Sequence, residues 1–182
     1  CLCRVLGDVY KRQIMGGGIL PVAKYNGKVY FLFGKETFDD SGQTGWADFG
    51  GGKEPEDKNV FETAIREGGE ELNGFLGYGK TLMNRVKKNM VHVEKSRHYT
   101  VYIFTIDYNK DLPHYYNNHF RFFSQKLPSV KYEHNGLLEK SHIKWYSFAD
   151  LRREKKGFRR FYPVSYTHLR AHETGRNLVC RL

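Results

Sequence analysis

WADFGGGKEPEDKNVFETAIREGGEELNG, running from Trp46 to Gly74, is the stretch that decides the fold. Three glycines in a row lead through an acidic turn into a helix that carries Arg66, Glu67, Glu70 and Glu71. An α-helix turns about 100° per residue, so residues three and four apart share a face. Glu67, Glu70 and Glu71 therefore crowd together with no lysine between them, and like charges so placed repel. One reason to gather them is a divalent cation. Ligands that are all oxygen suit magnesium or manganese rather than zinc. The plain alternative is a solvated helix face.

Context favours the cation. With Gly52, Arg66, Glu67, Glu70 and Glu71 in register, the stretch resembles the Nudix box, a Gly–Glu–Arg-Glu–Glu-Glu–Gly pattern at fixed spacing. It departs from that pattern at Lys58, where the family has Glu, and at Gly68, Asn73 and Gly74. The resemblance implies an α/β/α sandwich with a mixed β-sheet. It also implies hydrolysis of a pyrophosphate linked to another group, usually a nucleoside diphosphate derivative, with Mg2+ or Mn2+. Carried over residue by residue, it makes Glu67, Glu70 and Glu71 metal ligands, with the carbonyl of Gly51 or Gly52 a further oxygen. Arg66 would orient Glu67 through a salt bridge. The general base varies in the family, and Glu70, Glu133 and Glu139 are the candidates here. Of the two loop acids, Glu139 is preferred because it sits shortly before a strand. The lysine at position 58 reverses a charge that helps secure the conserved arginine, so weakened activity or local rearrangement is expected, with Glu56 or Asp57 as substitutes. Asn at position 73 is the mildest replacement for glycine, since it tolerates left-handed backbone.

Gly50, Gly51 and Gly52 let backbone approach a substrate with no side chain in the way. A phosphate-cradling Walker loop is excluded, because Ala47 and Glu54 stand where it needs Gly and Ser or Thr. Trp46 could stack on a base or anchor the core, and Tyr25 could stack likewise. Asn59 is an expected N-cap with Glu62 as its capping-box partner.

Upstream, Gly16–Ala23 and Lys28–Gly34 are expected strands joined by Asn26-Gly27, a strong hairpin signal. Downstream, the lysine-bearing segment around Lys80, Lys87 and Lys88 is expected to be a loop. Val91–Val93 and the β-branched, aromatic Tyr99–Tyr108 are expected strands. Tyr115–Lys126 is an expected helix, Ile143–Phe148 a strand, and Ala149–Lys155 a short helix capped by Ser147. Arg152–Arg160 gathers six Lys or Arg, read as a solvated end ahead of an RNA-contacting patch.

The 182-residue chain carries a formal charge of +10. Its ends, Cys1–Gln13 and Val164–Leu182, resemble translated sequencing-adapter read-through and are set aside as non-native tails. That leaves one domain over Ile14–Pro163 with a charge of +6 and no cysteine. A core without cysteine has no disulfide framework and fits a cytoplasmic protein. A basic surface favours an anionic partner, such as nucleotide or RNA. No apolar run approaches the roughly 18 residues of a membrane span. The histidines of that domain (His92, His98, His114, His119, His134, His142) show no zinc spacing. The segment after the helix, Asn73-Gly74-Phe75-Leu76-Gly77, looks like that of Nudix proteins of large DNA viruses, some of which remove mRNA caps. A capped RNA end and a free nucleotide derivative are thus both expected substrates. The competing class is a non-catalytic Nudix-fold module that binds nucleotide or RNA.

Overall fold

The computed structural model describes residues 15–37, 45–127 and 138–159. Both tails, Glu133, His134 and Arg160 lie outside the described residues. β1 (Gly16–Tyr25) and β2 (Lys28–Glu36) form the expected hairpin. Asn26 and Gly27 sit at φ 48° and 72°, the left-handed pair that a type I′ turn requires. β3 (Trp46–Ala47) and β4 (Phe49–Gly52) follow, then α1 (Val60–Glu71). α2 (Gly79–Asn89), β5 (Met90–Lys95), β6 (Tyr99–Thr105), α3 (Leu112–Lys126), β7 (Lys140–Ser147) and α4 (Phe148–Arg153) complete the order.

The segment carrying Lys80, Lys87 and Lys88 is thus a helix, not a loop. Leu82 and Val86, four apart, are fully buried, while the lysines line the opposite, exposed face. Two apolar anchors on a short helix suffice once the sheet is there to receive them. α4 is capped as expected: the Ser147 hydroxyl accepts from the Asp150 amide and Asp150 returns the bond to the Ser147 amide.

The sheet is mixed. β1 runs parallel to β6 and antiparallel to β2, while β5 pairs β6 and β7 pairs β2, both antiparallel. β1 and β2 are paired only from Val22↔Phe31 to the turn. Beyond it they diverge, and the Trp46–Gly52 segment enters the wedge, β3 lying on β2 and β4 on β1. Side chains alternate across the pleat. Ile19, Ala23, Leu32 and Phe49 join Ala64, Ile65, Leu82 and Tyr116 from the helices α1 to α3. Leu20, Val22, Phe31 and Phe33 join Tyr146, Leu151 and Phe158 on the other face, under α4. The result is a sheet between helical layers, the expected α/β/α architecture.

β1 and β4 meet through glycine against glycine: Gly16↔Gly52, Gly17↔Gly51 and Gly18↔Gly50. Here glycine is needed for space. A Cβ on Gly17 would lie 2.4 Å from the Val60 carbonyl oxygen, so α1 rests directly on the strand. Gly17→Ala must push the helix away, and such overpacking costs about 1–3 kcal/mol. The expected outcome is a lower urea midpoint at unchanged m-value.

Candidate active site

α1 begins where expected. The Asn59 side chain accepts from the Glu62 amide at 3.0 Å. Glu62 returns its bond one residue further out, to the Lys58 amide at 3.0 Å. Lys58 therefore contributes its backbone to the cap while its side chain stays in solvent.

Arg66 is the hub. Its guanidinium donates to Asp57 Oδ1 and Oδ2 (3.2 and 3.0 Å), to the Gly52 carbonyl (3.1 Å) and to Glu70 Oε2 (3.2 Å), and pairs with Glu67 Oε1 at 3.0 Å. Asp57 is buried and also receives the Glu54 amide at 3.0 Å. Of the two acids expected to compensate for Lys58, the structure uses Asp57. Burial works against the charge of Arg66, but Asp57, Glu67 and Glu70 outweigh it and raise the guanidinium pKa.

Burial also opposes ionisation of Asp57, yet the Arg66 hydrogen bond and the Glu54 amide hold its pKa below the ordinary 3.8. A depressed carboxylate contributes stability that is complete above its unfolded pKa and lost as pH falls through the lower folded value. Thermal melts below about pH 4 should therefore fall more steeply for the parent chain than for Asp57→Asn.

Glu67 lies over β4. A Cβ on Gly51 would come within 2.5 Å of its Oε1, so the missing side chain makes room for the carboxylate. Burial lifts its pKa to about 7, with Arg66 pulling down and Glu70 and Glu139 pushing up. Glu70, one turn on, is partly buried and raised mainly by burial. Glu139 is exposed at the foot of β7, near enough for its charge to act on Glu67 and Glu71.

Glu71 differs from its expected role. Its Oε2 accepts the Gly50 amide at 2.7 Å, and its Oε1 pairs with Lys140 at 3.0 Å. Both oxygens are engaged and the side chain is 3% exposed, whereas Glu67 and Glu70 are 14% and 28% exposed and share Arg66. Lys140 is fully buried and also pairs with Glu36, which accepts from Arg159 at 3.2 Å. Neither Glu36 nor Lys140 stood out in the sequence. The available signal was a lysine at an inward position of a strand.

The end of α1 is tied down by side chains. Asn73, left-handed at φ 48°, donates to the Tyr116 hydroxyl at 3.0 Å and accepts the Leu138 amide at 3.1 Å. Tyr116 in turn donates to the Glu71 carbonyl. The glycines split by ladder alternation. Gly50 N–H and Gly52 C=O turn to α1, whereas Gly51 pairs back to Gly17 and offers only its bare Cα to Glu67. Trp46 packs edge-on against Tyr146 at 5.2 Å in the layer beneath α4, the core-anchor arrangement. Tyr25 stacks on Tyr108 at 4.5 Å and stays half exposed.

A divalent cation fits this donor set in kind. The donors are all oxygen, and Glu54, Asp57, Glu67 and Glu70 share the single charge of Arg66. No cage of three acidic or histidine donors is closed among the described residues.

No protein-family model matches the chain, and no curated protein matches it by sequence. Solved structures do. An Ap4A hydrolase of C. elegans, in a binary complex, superposes with a TM-score of 0.53 at 15% identity, over 89% of this chain and 98% of that one. Nudix hydrolases of Nitrosomonas europaea and M. smegmatis (RenU) give TM-scores of 0.47 and 0.48 at 12% and 11% identity. These cover 90% and 91% of this chain, and 91% and 90% of theirs. The chain has the Nudix fold. Among the described residues no helix is long and apolar enough to cross a membrane.

Proposed function

We propose that the chain is a magnesium- or manganese-dependent pyrophosphohydrolase acting on nucleoside-diphosphate-linked substrates. The observation that carries this reading is Glu67, a carboxylate seated on a bare glycine and lifted to about 7 by burial and neighbouring acids. Arg66 pairs with it at 3.0 Å but is shared with three other acids and does not offset the burial. A divalent cation, when bound, neutralises a diphosphate and activates water. Glu67 and Glu70 would hold it, with Arg66 keeping both in place.

The chain's own residues do the rest. Exposed Gly52 leaves the end of β4 without a side chain where a diphosphate would lie, and Arg66 adds a fixed positive charge nearby. Glu70 accepts from Arg66, which occupies one of the oxygens that would take a proton. Glu139 has no side-chain hydrogen bond or ion pair among the described residues and is the better group to take a proton from water.

One specific observation favours the alternative, a non-catalytic nucleotide- or RNA-binding module: Glu71 is engaged by Lys140, leaving fewer acids for a cation. The test is hydrolysis of Ap4A, other dinucleoside polyphosphates and capped RNA by the full chain, at matched Mg2+ and in EDTA. The substrate named for the C. elegans neighbour and the basic composition are the reasons for testing these compounds first. Cation-dependent cleavage supports the hydrolase. Binding without cleavage in either Mg2+ or Mn2+ supports the module. Equal or better turnover of small dinucleotides removes the decapping role.

A further inference from the structure

We infer that Lys140 is an internal stand-in for a cation: its ammonium occupies the Glu36–Glu71 side of the acidic cluster and confines exchangeable metal to Glu67 and Glu70. The inference rests on the metal-dependent reading above and adds to it a division of the carboxylates.

The acids form two groups of different charge balance. Glu36 and Glu71 pair with Lys140 and Arg159, and Glu139 stands beside them exposed and without an ion pair among the described residues. Glu54, Asp57, Glu67 and Glu70 are set against Arg66 alone. Two paired acids thus share two cations in the first group, whereas four share one in the second. The first group is also built around its lysine. Lys140 has no exposed surface. A Cβ on Gly34 would lie 2.9 Å from Lys140 Cγ and 3.0 Å from its Cδ, so a bare strand position accommodates the aliphatic stem. Glu36 and Lys140 sit opposite each other in the β2–β7 ladder, which brings the ammonium to Glu71 at the end of α1. With Oε2 of Glu71 on the Gly50 amide and Oε1 on Lys140, an entering divalent ion would have to expel an ammonium to reach it.

The test is Mn2+ titration of the full chain, following free Mn2+ by electron paramagnetic resonance. Glu67→Gln should weaken binding by at least about tenfold, the size of effect seen when a metal site loses a supporting group. Glu71→Gln, which keeps an acceptor for Gly50, should leave affinity within about threefold, well short of that range. Lys140→Met, checked for folding by circular dichroism, should bind one further Mn2+ per chain, and added Mn2+ should raise its Tm more than the parent's. An equal loss of affinity in Glu71→Gln and Glu67→Gln overturns the inference while leaving the metal site standing. So does a folded Lys140→Met with no additional ion. A parent chain that binds no Mn2+ overturns the metal-dependent reading and the inference with it.

Discussion

Glu67→Gln is expected to lower turnover at saturating Mg2+ by about 10²- to 10⁴-fold, the range for removing a group that acts at the reacting centre. Glutamine keeps the shape and an oxygen for Arg66 but loses the charge that would hold a cation. The same change should stabilise the metal-free protein. A carboxylate whose pKa rises from 4.5 to about 7 on folding is costly to ionise in the native state. The folded chain then binds a proton that the unfolded chain has released, so stability falls as pH rises between those values. Melting curves of the metal-free parent should show this decline and those of Glu67→Gln should lack it. The sign is opposite to that for Asp57, which separates an acid held for function from one held for structure. A Glu67→Gln chain that retains parental turnover would remove this residue from the site.

Lys140→Met carries the largest expected effect on stability. Removing one partner of a buried ion pair leaves the others charged and desolvated, a loss of about 3–5 kcal/mol. For a chain of this length each kcal/mol moves Tm by roughly 2–4 °C, so the shift is easily read by calorimetry. Glu36 and Glu71 are 11% and 3% exposed, and burial raises the pKa of Glu71 even with Lys140 opposing it. Exposed pairs offer a control. Lys144→Met, which breaks a pair with the partly exposed Glu154, should cost no more than about 1 kcal/mol. Equal losses from the two lysines would show that the buried group is not the stronger one.

The parts of this fold that were legible in the sequence are those set by neighbours along the chain. Asn26-Gly27 determines its turn, Asn59 starts α1, Ser147 and Asp150 close a capping box, and β6 declares itself by composition. α2 escaped because eleven residues with three lysines show little periodicity, and its two buried anchors acquire meaning only against the sheet. The site divides in the same way. Arg66, Glu67 and Glu70 lie within five residues on one helix, so their meeting is a matter of helical spacing. Glu36 and Lys140 are 104 residues apart and meet only because β2 pairs with β7. Glu71, next to Glu70, looked like its twin, and nothing local showed that a lysine from a distant strand would claim it. Asp57 was named as one of two substitutes, and only the backbone of the acidic turn could choose between them.

The glycine-on-glycine ladder of β1 and β4 has one more consequence. With no side chains to thicken it, the sheet there is only a backbone deep, so its two surfaces are electrically in touch. Tyr99 lies on the surface away from α1, its hydroxyl against Gly18 and Gly50. Burial and the nearby Asp48 dominate its environment, and the charges of Glu71 and Glu67 reach it from the other side. A change of charge at Glu67 or Glu71 therefore alters the field at a phenol on the opposite face of the sheet.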